Sequence, residues 1–90
     1  MAISLIFEAP GMTEAQYDRI RNEVAPGDRA PEGALYHVGG PTENGWYVVE
    51  TWESREAFDR FFRDRLQQAL QQAGVAQPPR FLEVARIMQP

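Results

Sequence analysis

Two spacings of apolar residues alternate along this chain and predict six elements of secondary structure. Apolar residues three and four positions apart follow Thr13 and Ser54, which predicts one helix that ends before Pro26 and a second that runs to about residue 73. Runs of β-branched and aromatic residues predict the strands, at residues 3–8, 35–40, 46–53 and 80–88. The predicted order is therefore strand, helix, strand, strand, helix, strand.

Local sequence signals mark the ends of both predicted helices. Thr13 is a suitable N-cap, and Gln16, three residues later, completes a capping box. Ser54 is the expected N-cap of the second helix. Pro26 stops the first helix, and Gly74 fits the left-handed residue that commonly follows a helix.

The two middle strands are predicted to form a hairpin. Asn44 and Gly45 lie between them, and both residues tolerate the positive φ of a tight turn. The turn uses either these two residues or residues 41–44. In both cases the residue numbers of two paired residues sum to an odd number, and this sum decides which side chains share a face. One face then carries Leu35, His37, Trp46, Val48, Glu50 and Trp52, and the other carries Tyr36, Val38, Tyr47 and Val49.

This order of elements predicts an α+β fold of the ferredoxin-like βαββαβ type. Right-handed crossovers place both helices on one face of a four-stranded antiparallel sheet. Nothing in the chain is left to cover the other face, and a large exposed apolar face marks an interaction surface. We expect a second copy of the chain to cover it, and from the hairpin pairing we assign Trp46, Val48 and Trp52, with His37 and Glu50, to that uncovered face.

Composition narrows the classes of function. Ninety residues form one domain, over residues 1–90, and the absence of cysteine excludes disulfides, thiolate metal ligands and a thiol nucleophile. The net charge is −4 and all nine cations are arginine, which argues against nucleic acid as a partner. We expect no membrane partner either, because no apolar run approaches the ~20 residues of a membrane helix. Without a signal peptide at its start, the chain is expected to be cytoplasmic.

The hairpin and the start of the second helix resemble a known group of proteins. The order of strands and helices over the whole chain carries the resemblance, together with YHVGG at 36–40, GWYVV at 45–49 and WESREAF at 52–58. Its sharper part covers about residues 36–66. They resemble the dimeric α+β barrel superfamily, in the branch of small proteins similar to antibiotic biosynthesis monooxygenases. The resemblance implies a homodimer whose two sheets pack across a dimer axis, with a cavity between sheet and helices in each protomer.

The activities that this resemblance implies are diverse. They include cofactor-independent oxygenation of polycyclic phenols, haem degradation, lactone isomerisation, polyketide cyclisation and plain ligand binding, and a fold does not choose among them. The cofactor-free oxygenases of the group hold an enolate-like substrate with Asn, Trp, Tyr and Arg side chains. This chain offers Trp, Tyr and Arg, whereas Asn22 falls on the first helix and Asn44 in the hairpin turn.

Two ionisable residues are unusual for their places in the predicted strands. His37 is the only histidine and is either a general base, a ligand to an iron cofactor, or a buried hydrogen-bonded residue. Glu50 interrupts an apolar strand and is costly to bury without a partner, which is either His37 or Arg86. Alternatively, Glu50 forms an ion pair at a dimer interface or a sheet edge. A multi-histidine metal site cannot form within one chain, and we predict no metal and no cofactor.

The aromatic side chains of the strands are candidate walls of a binding site. Tyr36, Trp46 and Trp52 could stack against an aromatic ligand, with Arg86 as a further contact, although such residues more often pack in a core or an interface. Tyr17 and the phenylalanines of the second helix are interpreted as core residues.

Two functions from different classes are compatible with these features. In the first, a homodimer binds a small apolar or aromatic molecule and acts as a cofactor-independent monooxygenase-like enzyme, with His37 as acid and base and Glu50 as its orienting partner. In the second, the chain is a non-enzymatic module for ligand binding or dimer assembly, and the same residues hold the dimer together. The two differ in whether His37 and Glu50 line a cavity or a subunit interface.

Overall fold

The computed structural model describes residues 1–75 and 78–88 of the chain. Three of the strands are β1 at Ile3–Pro10, β2 at Ala34–Thr42 and β3 at Gly45–Trp52, and the fourth, β4, is Arg80–Glu83. The helices are α1 at Glu14–Val24, α2 at Arg55–Phe61 and α3 at Gln67–Gln72. A 3₁₀ turn, Pro26–Asp28, follows α1, and a π-helical turn, Phe62–Leu66, joins α2 directly to α3.

The four strands form one antiparallel sheet in the order β2-β3-β1-β4. This order and the two helical segments between strands are those of a ferredoxin-like α+β fold, which confirms the predicted fold class. The predicted second helix is also confirmed, since α2, the π-helical turn and α3 follow one another without a break up to Gln72. Gly74 then takes a φ of 77°, the left-handed conformation expected after a helix end.

The capping box at the start of α1 forms as predicted. Thr13 Oγ1 accepts a hydrogen bond from the backbone N–H of Gln16 at 3.2 Å, and Gln16 Oε1 accepts one from the backbone N–H of Thr13 at 2.9 Å. Ser54 similarly accepts a hydrogen bond from the backbone N–H of Ala57 at 3.1 Å and begins α2. The two helices therefore start at fixed points relative to the strands that precede them.

The hairpin between β2 and β3 turns at Glu43 and Asn44, with Thr42 paired to Gly45. This turn is one residue away from the Asn44-Gly45 turn, but the paired positions still sum to an odd number, and His37 lies directly opposite Glu50. An irregularity between Ala34 and Tyr36 shifts the pairing only at the far end of β2. The predicted grouping of side chains on the two faces therefore holds over most of the hairpin.

The assignment of these two faces to helices and solvent was wrong. The face with Trp52 and Glu50 is the one that the helices cover: Trp52 is only 1% exposed and its ring packs against Phe58 and Phe61. The physical reason is side-chain volume, because the face with the largest apolar side chains buries the most surface when it packs against a helix. The core on this side consists of Leu5, Val24, Trp52, Ala57, Phe58, Leu66 and Ala69.

The uncovered face carries smaller and less buried side chains. Val38 is 55% exposed and Tyr36 is 45% exposed, and both lie on the edge strand β2. Near the middle of this face, the hydroxyl groups of Ser4 and Thr51 form a hydrogen bond of 2.8 Å. We refer below to the residues of this surface as the open face, and they include Ser4, Ile6, Tyr36, Val38, Tyr47, Val49, Thr51 and Leu82.

The last strand is shorter than predicted. It ends at Glu83 rather than near residue 88, because its partner β1 begins at Ile3, which pairs with Glu83. A further backbone hydrogen bond, from Val84 N–H to Ala2 O at 3.3 Å, continues the ladder. Arg86 therefore lies beyond the sheet and is exposed.

No helix of the described residues combines the length and the apolar character that a membrane crossing requires.

Candidate functional site

A cavity of about 390 Å³ lies between the sheet and the helices. Its size suits a small organic molecule, since ligand pockets commonly enclose ~300–1,000 Å³. Most of its wall is apolar and includes Phe7, Ile20, Val24, Val48, Leu66 and Leu70. Polar and charged side chains enter this wall mainly at Tyr17, Arg21, Arg29, His37 and Glu50. The cavity is thus an apolar space with a small polar region.

The polar region is a chain of hydrogen bonds between four side chains. Tyr17 Oη bonds to His37 Nε2, and His37 Nδ1 bonds to Glu50 Oε2 at 2.6 Å. The other oxygen of Glu50 accepts a hydrogen bond from Trp52 Nε1 at 3.1 Å. Glu50 is 9% exposed, so this carboxylate is buried with both oxygens bound. A buried carboxylate needs such partners to offset its loss of hydration.

Sheet pairing and helix position bring these residues together. His37 and Glu50 are directly opposed on β2 and β3, a separation at which side chains on one face touch. Tyr17 lies one turn after the cap of α1 and reaches down onto the same face, with its ring 5.9 Å from that of His37. The capping box sets where α1 begins, and the packing of α1 on the sheet brings the phenol of Tyr17 to His37.

Burial raises the pKa of Tyr17 above the ordinary value for tyrosine, and the nearby positive charge of Arg21 opposes this only in part. Tyr17 therefore keeps its proton near neutral pH and donates it to His37 Nε2. A carboxylate accepts hydrogen bonds, so His37 Nδ1 is the donor in its bond to Glu50 Oε2. The hydrogen bonds consequently run in one direction, from Tyr17 through His37 to Glu50.

Trp46 contributes a further polar atom to the cavity. It is 8% exposed, lines the cavity, and its ring packs against Tyr17 with 5.1 Å between ring centroids. Its indole N–H is buried and has no hydrogen-bond partner among the described residues. Unpaired buried donors are uncommon in folded proteins and are often explained by a ligand, an ion or a water molecule.

Gly39 makes room for these two aromatic residues on β2. A Cβ atom at this position would lie 3.2 Å from Trp46 Nε1 and 3.3 Å from Tyr17 Oη, which is tighter than ordinary van der Waals contact. The two polar atoms are thus close neighbours on the same side of the strand. The lack of a side chain at Gly39, which pairs with Val48, therefore leaves room for both aromatic residues in the site.

The structure brings together some of the residues predicted for the site and separates others. His37, Glu50, Trp46 and Trp52 lie on one face, and Glu50 is paired with His37 rather than with Arg86. Arg86 is beyond β4 and outside the cavity wall. Tyr36 is among the residues that line the cavity, although its pairing with Thr51 assigns its side chain to the open face. Whether any of these residues acts on a ligand stays a prediction.

Tyr17 was interpreted as a core residue, and its place in the site is a finding of the structure. Its position on the apolar stripe of α1 gave no sign of a polar role, because tyrosine is common in cores. The sequence did contain one signal. The apolar stripe of α1 was predicted to pack on the sheet, and one strand of that sheet carries the only histidine. Within residues 1–75 and 78–88, no three histidine or acidic side chains are grouped closely enough to hold a metal ion.

Comparisons with known proteins bear on the fold of this chain. No protein-family model and no curated protein matches the sequence. Among solved structures, a candidate antibiotic biosynthesis monooxygenase from Chloroflexus aurantiacus J-10-fl is 15% identical with a TM-score of 0.67, over 99% of this chain and 98% of that one. SnoaB, a cofactor-independent oxygenase from Streptomyces nogalater, is 13% identical with a TM-score of 0.67, over 99% and 97% of the two chains.

This chain has the antibiotic biosynthesis monooxygenase-like fold. A third structure, the monooxygenase ActVA-Orf6 of Streptomyces coelicolor in complex with the ligand nanaomycin D, is 22% identical with a TM-score of 0.53, over 99% of this chain and 91% of that one. The predicted resemblance, sharpest over about residues 36–66, is thus confirmed at the level of the fold. At these identities the antibiotic biosynthesis monooxygenase-like fold is what the chains share.

Proposed function

We propose that this protein binds a small, largely apolar or aromatic molecule in the cavity and oxygenates it without a cofactor. His37 is the acid and base of the reaction, and Glu50 orients it. The observation that carries the proposal is the directed chain of hydrogen bonds that ends at Tyr17 in an otherwise apolar cavity. An acid–base group held by a buried carboxylate is the arrangement that proton abstraction requires.

The proposed reaction uses dioxygen as the oxidant. Loss of a proton from the ligand gives a conjugated carbanion that can transfer electrons to dioxygen. For a ring methylene group the balance is R₂CH₂ + O₂ → R₂C=O + H₂O, so one oxygen atom enters the ligand and the other leaves as water. The ligand supplies all the electrons, and the protein supplies a largely apolar cavity and a base. The fold supports this proposal because two of the similar structures are an oxygenase and a monooxygenase by name.

Loss of the His37–Glu50 pair tests the proposed activity. We expect His37→Asn and Glu50→Gln each to reduce enzyme-dependent oxygen consumption about 100-fold, within the usual range for a general base. The measurement is oxygen uptake with 1,8-dihydroxyanthrone, a tricyclic phenol with a ring methylene group, corrected for the reaction without protein. Glu43→Gln is the matched control, because Glu43 is an exposed carboxylate in the hairpin turn. Equal rates in all variants, or no rate above background in the wild type, would contradict the proposal.

We also propose that two copies of the chain pack through their open faces. Supporting this proposal, both helical segments cover the opposite side of the sheet, and apolar side chains such as Val38 and Leu82 are left about half exposed. A symmetric pair would cover both surfaces with the same residues. The partner would then stabilise the sheet without contributing to the cavity wall on the other side.

A charge placed on the open face tests this homodimer. We expect Val38→Asp to convert the protein to monomers, because an unpaired buried charge costs several kcal/mol. Sedimentation equilibrium measures the mass directly. Gln68→Asp adds the same charge on an exposed position of α3 and should leave the dimer intact. A wild-type protein that sediments as a monomer at all concentrations would refute the proposed dimer.

A further inference from the structure

A second space of about 490 Å³ lies beside the cavity, and we refer to it as the outer groove. The cavity and the outer groove share part of their walls, at Val24, Ala25, Arg29, Ala30, Pro31 and Phe61. The rest of the groove wall comes from the loop that follows α1 and from one side of α2 and the π-helical turn. A ligand that fills the cavity and extends past the shared wall therefore enters the outer groove.

The outer groove differs from the cavity in its charged residues. Three arginines line it: Arg29 from the loop, Arg60 from α2 and Arg65 from the π-helical turn. Arg29 also lines the cavity, so this residue lies where the two spaces meet. A guanidinium group stays charged at neutral pH and can bind a carboxylate through two parallel N–H donors. The groove therefore offers several donors that suit an acidic group.

Two of these arginines are not neutralised by carboxylates of the protein. Within the described residues, neither Arg29 nor Arg60 forms an ion pair. Asp64 lies four residues after Arg60 on the same helical segment, a separation at which opposite charges commonly pair. Asp64 instead pairs with Arg63, at 3.3 Å. The charges of Arg29 and Arg60 are therefore available to a ligand.

Glu32 and Glu53 also line the outer groove, but they lie toward one end of it. Glu53 Oε1 would be 3.5 Å from a Cβ atom on Gly33, which places this carboxylate where the loop meets the start of α2. Arg65 comes twelve residues later, and its Nη1 donates a hydrogen bond of 3.4 Å to Val24 O at the end of α1. A helical segment of twelve residues spans ~18 Å, so the acidic and basic ends of the groove are well separated.

We propose that the ligand of the cavity carries a carboxylate, and that Arg29 and Arg60 bind this carboxylate in the outer groove. The inference rests on the proposed function and adds to it the class of ligand, an apolar or aromatic acid. The apolar part fills the cavity, and the acidic group stays in the groove because its burial among apolar side chains is costly. The whole protein carries a net charge of −4, so attraction of an acid requires a local group of arginines such as this one.

The experiment compares two ligands that differ in charge and hardly in shape. The acid is 4-(1-naphthyl)butanoate, whose chain of methylene groups lets the carboxylate reach beyond the ring, and the matched neutral compound is 4-(1-naphthyl)butanamide. Isothermal titration calorimetry at neutral pH measures both dissociation constants. We expect wild-type protein to bind the acid about tenfold more tightly than the amide, because each of two solvent-exposed ion pairs contributes roughly threefold. Added salt should remove most of this difference, since it screens exposed charges.

Substitution of the two arginines tests which residues bind the carboxylate. We expect Arg29→Gln and Arg60→Gln each to weaken binding of the acid about threefold, and the double variant about tenfold. Binding of the amide should stay within about twofold of wild type in all three variants, because the amide carries no charge. The matched control combines Arg19→Gln with Arg80→Gln, which removes the same charge from exposed positions that line neither space. This control should bind both compounds as wild-type protein does.

The outcomes distinguish this inference from the proposed function. Equal affinities of wild-type protein for the acid and the amide, or full affinity of the double variant for the acid, would overturn the role of the outer groove and keep the cavity as a binding site. Tighter binding of the cationic analogue 4-(1-naphthyl)butylamine than of the acid would assign the groove to Glu32 and Glu53, and would also overturn the inference. Failure of wild-type protein to bind any of the three compounds would instead overturn the proposed binding function.

Discussion

Replacing Trp52 with Ala is expected to lower the free energy of unfolding by about 3–5 kcal/mol, the range for truncating a large buried aromatic side chain. Trp52 is 1% exposed and contacts Phe58 and Phe61, so its removal leaves a space that the helices can fill only in part. Its indole N–H also binds Glu50 Oε1, and the loss of this bond leaves a buried carboxylate oxygen without its donor. A small domain has only ~5–15 kcal/mol of stability in total.

The measurement is urea unfolding followed by far-UV circular dichroism at one protein concentration, because any self-association would shift the midpoint with concentration. Trp52→Phe is the matched variant, since it keeps a ring in the core and removes the N–H. We expect it to cost less than Trp52→Ala, by about 1.5–3 kcal/mol relative to wild type, the usual effect of a lost hydrogen bond to a charged group. Equal stabilities of Trp52→Ala and the wild-type protein would show that α2 does not pack on this face of the sheet.

Replacing Gly45 with Ala is expected to destabilise the fold by about 3 kcal/mol, at the upper end of the usual cost of overpacking. A Cβ atom at Gly45 would lie 2.3 Å from Ala9 O and 2.8 Å from the backbone nitrogen of Gly11. These neighbours are backbone atoms that cannot rotate away, unlike the end of a side chain. The substitution must therefore separate the start of β3 from the end of β1, where Pro10 pairs with Gly45.

Gly74→Ala provides the comparison for this effect. Gly74 has a φ of 77°, but a Cβ there would meet no atom within 4 Å. Its replacement should cost only about 1 kcal/mol, the penalty of a left-handed alanine. Thermal and urea unfolding of the two variants can be measured side by side. A loss of stability at Gly45 no greater than that at Gly74 would contradict the close approach of β1 and β3.

Much of the fold could be predicted because its signals are local. The N-caps at Thr13 and Ser54 act over three residues, and the capping hydrogen bonds form where the sequence places them. That His37 and Glu50 share a face followed from the parity of the hairpin, which survives a shift of the turn from residues 44–45 to Glu43 and Asn44. Parity is preserved because both turns contain an even number of residues, and side chains alternate with a period of two.

The features that were not predicted depend on contacts between distant segments. The length of β4 depends on where β1 begins. Ile3, the first residue of β1, pairs with Glu83, which lies 80 positions later in the chain. The role of Tyr17 depends on where α1 crosses β2, which the sequence of α1 alone does not specify. Its apolar stripe predicts burial but not the neighbour that it meets.

The sequence by itself determined the order of the elements, the caps of the helices and the set of residues that share each face of the hairpin. Only the tertiary structure decided which of those faces the helices cover, and with it whether His37 and Glu50 lie in a cavity or on the open face. The physical reason is that side chains alternate between the two faces of a sheet, and this alternation does not show which face the helices will cover. The choice between the two sides is made when Trp52 packs against Phe58 and Phe61.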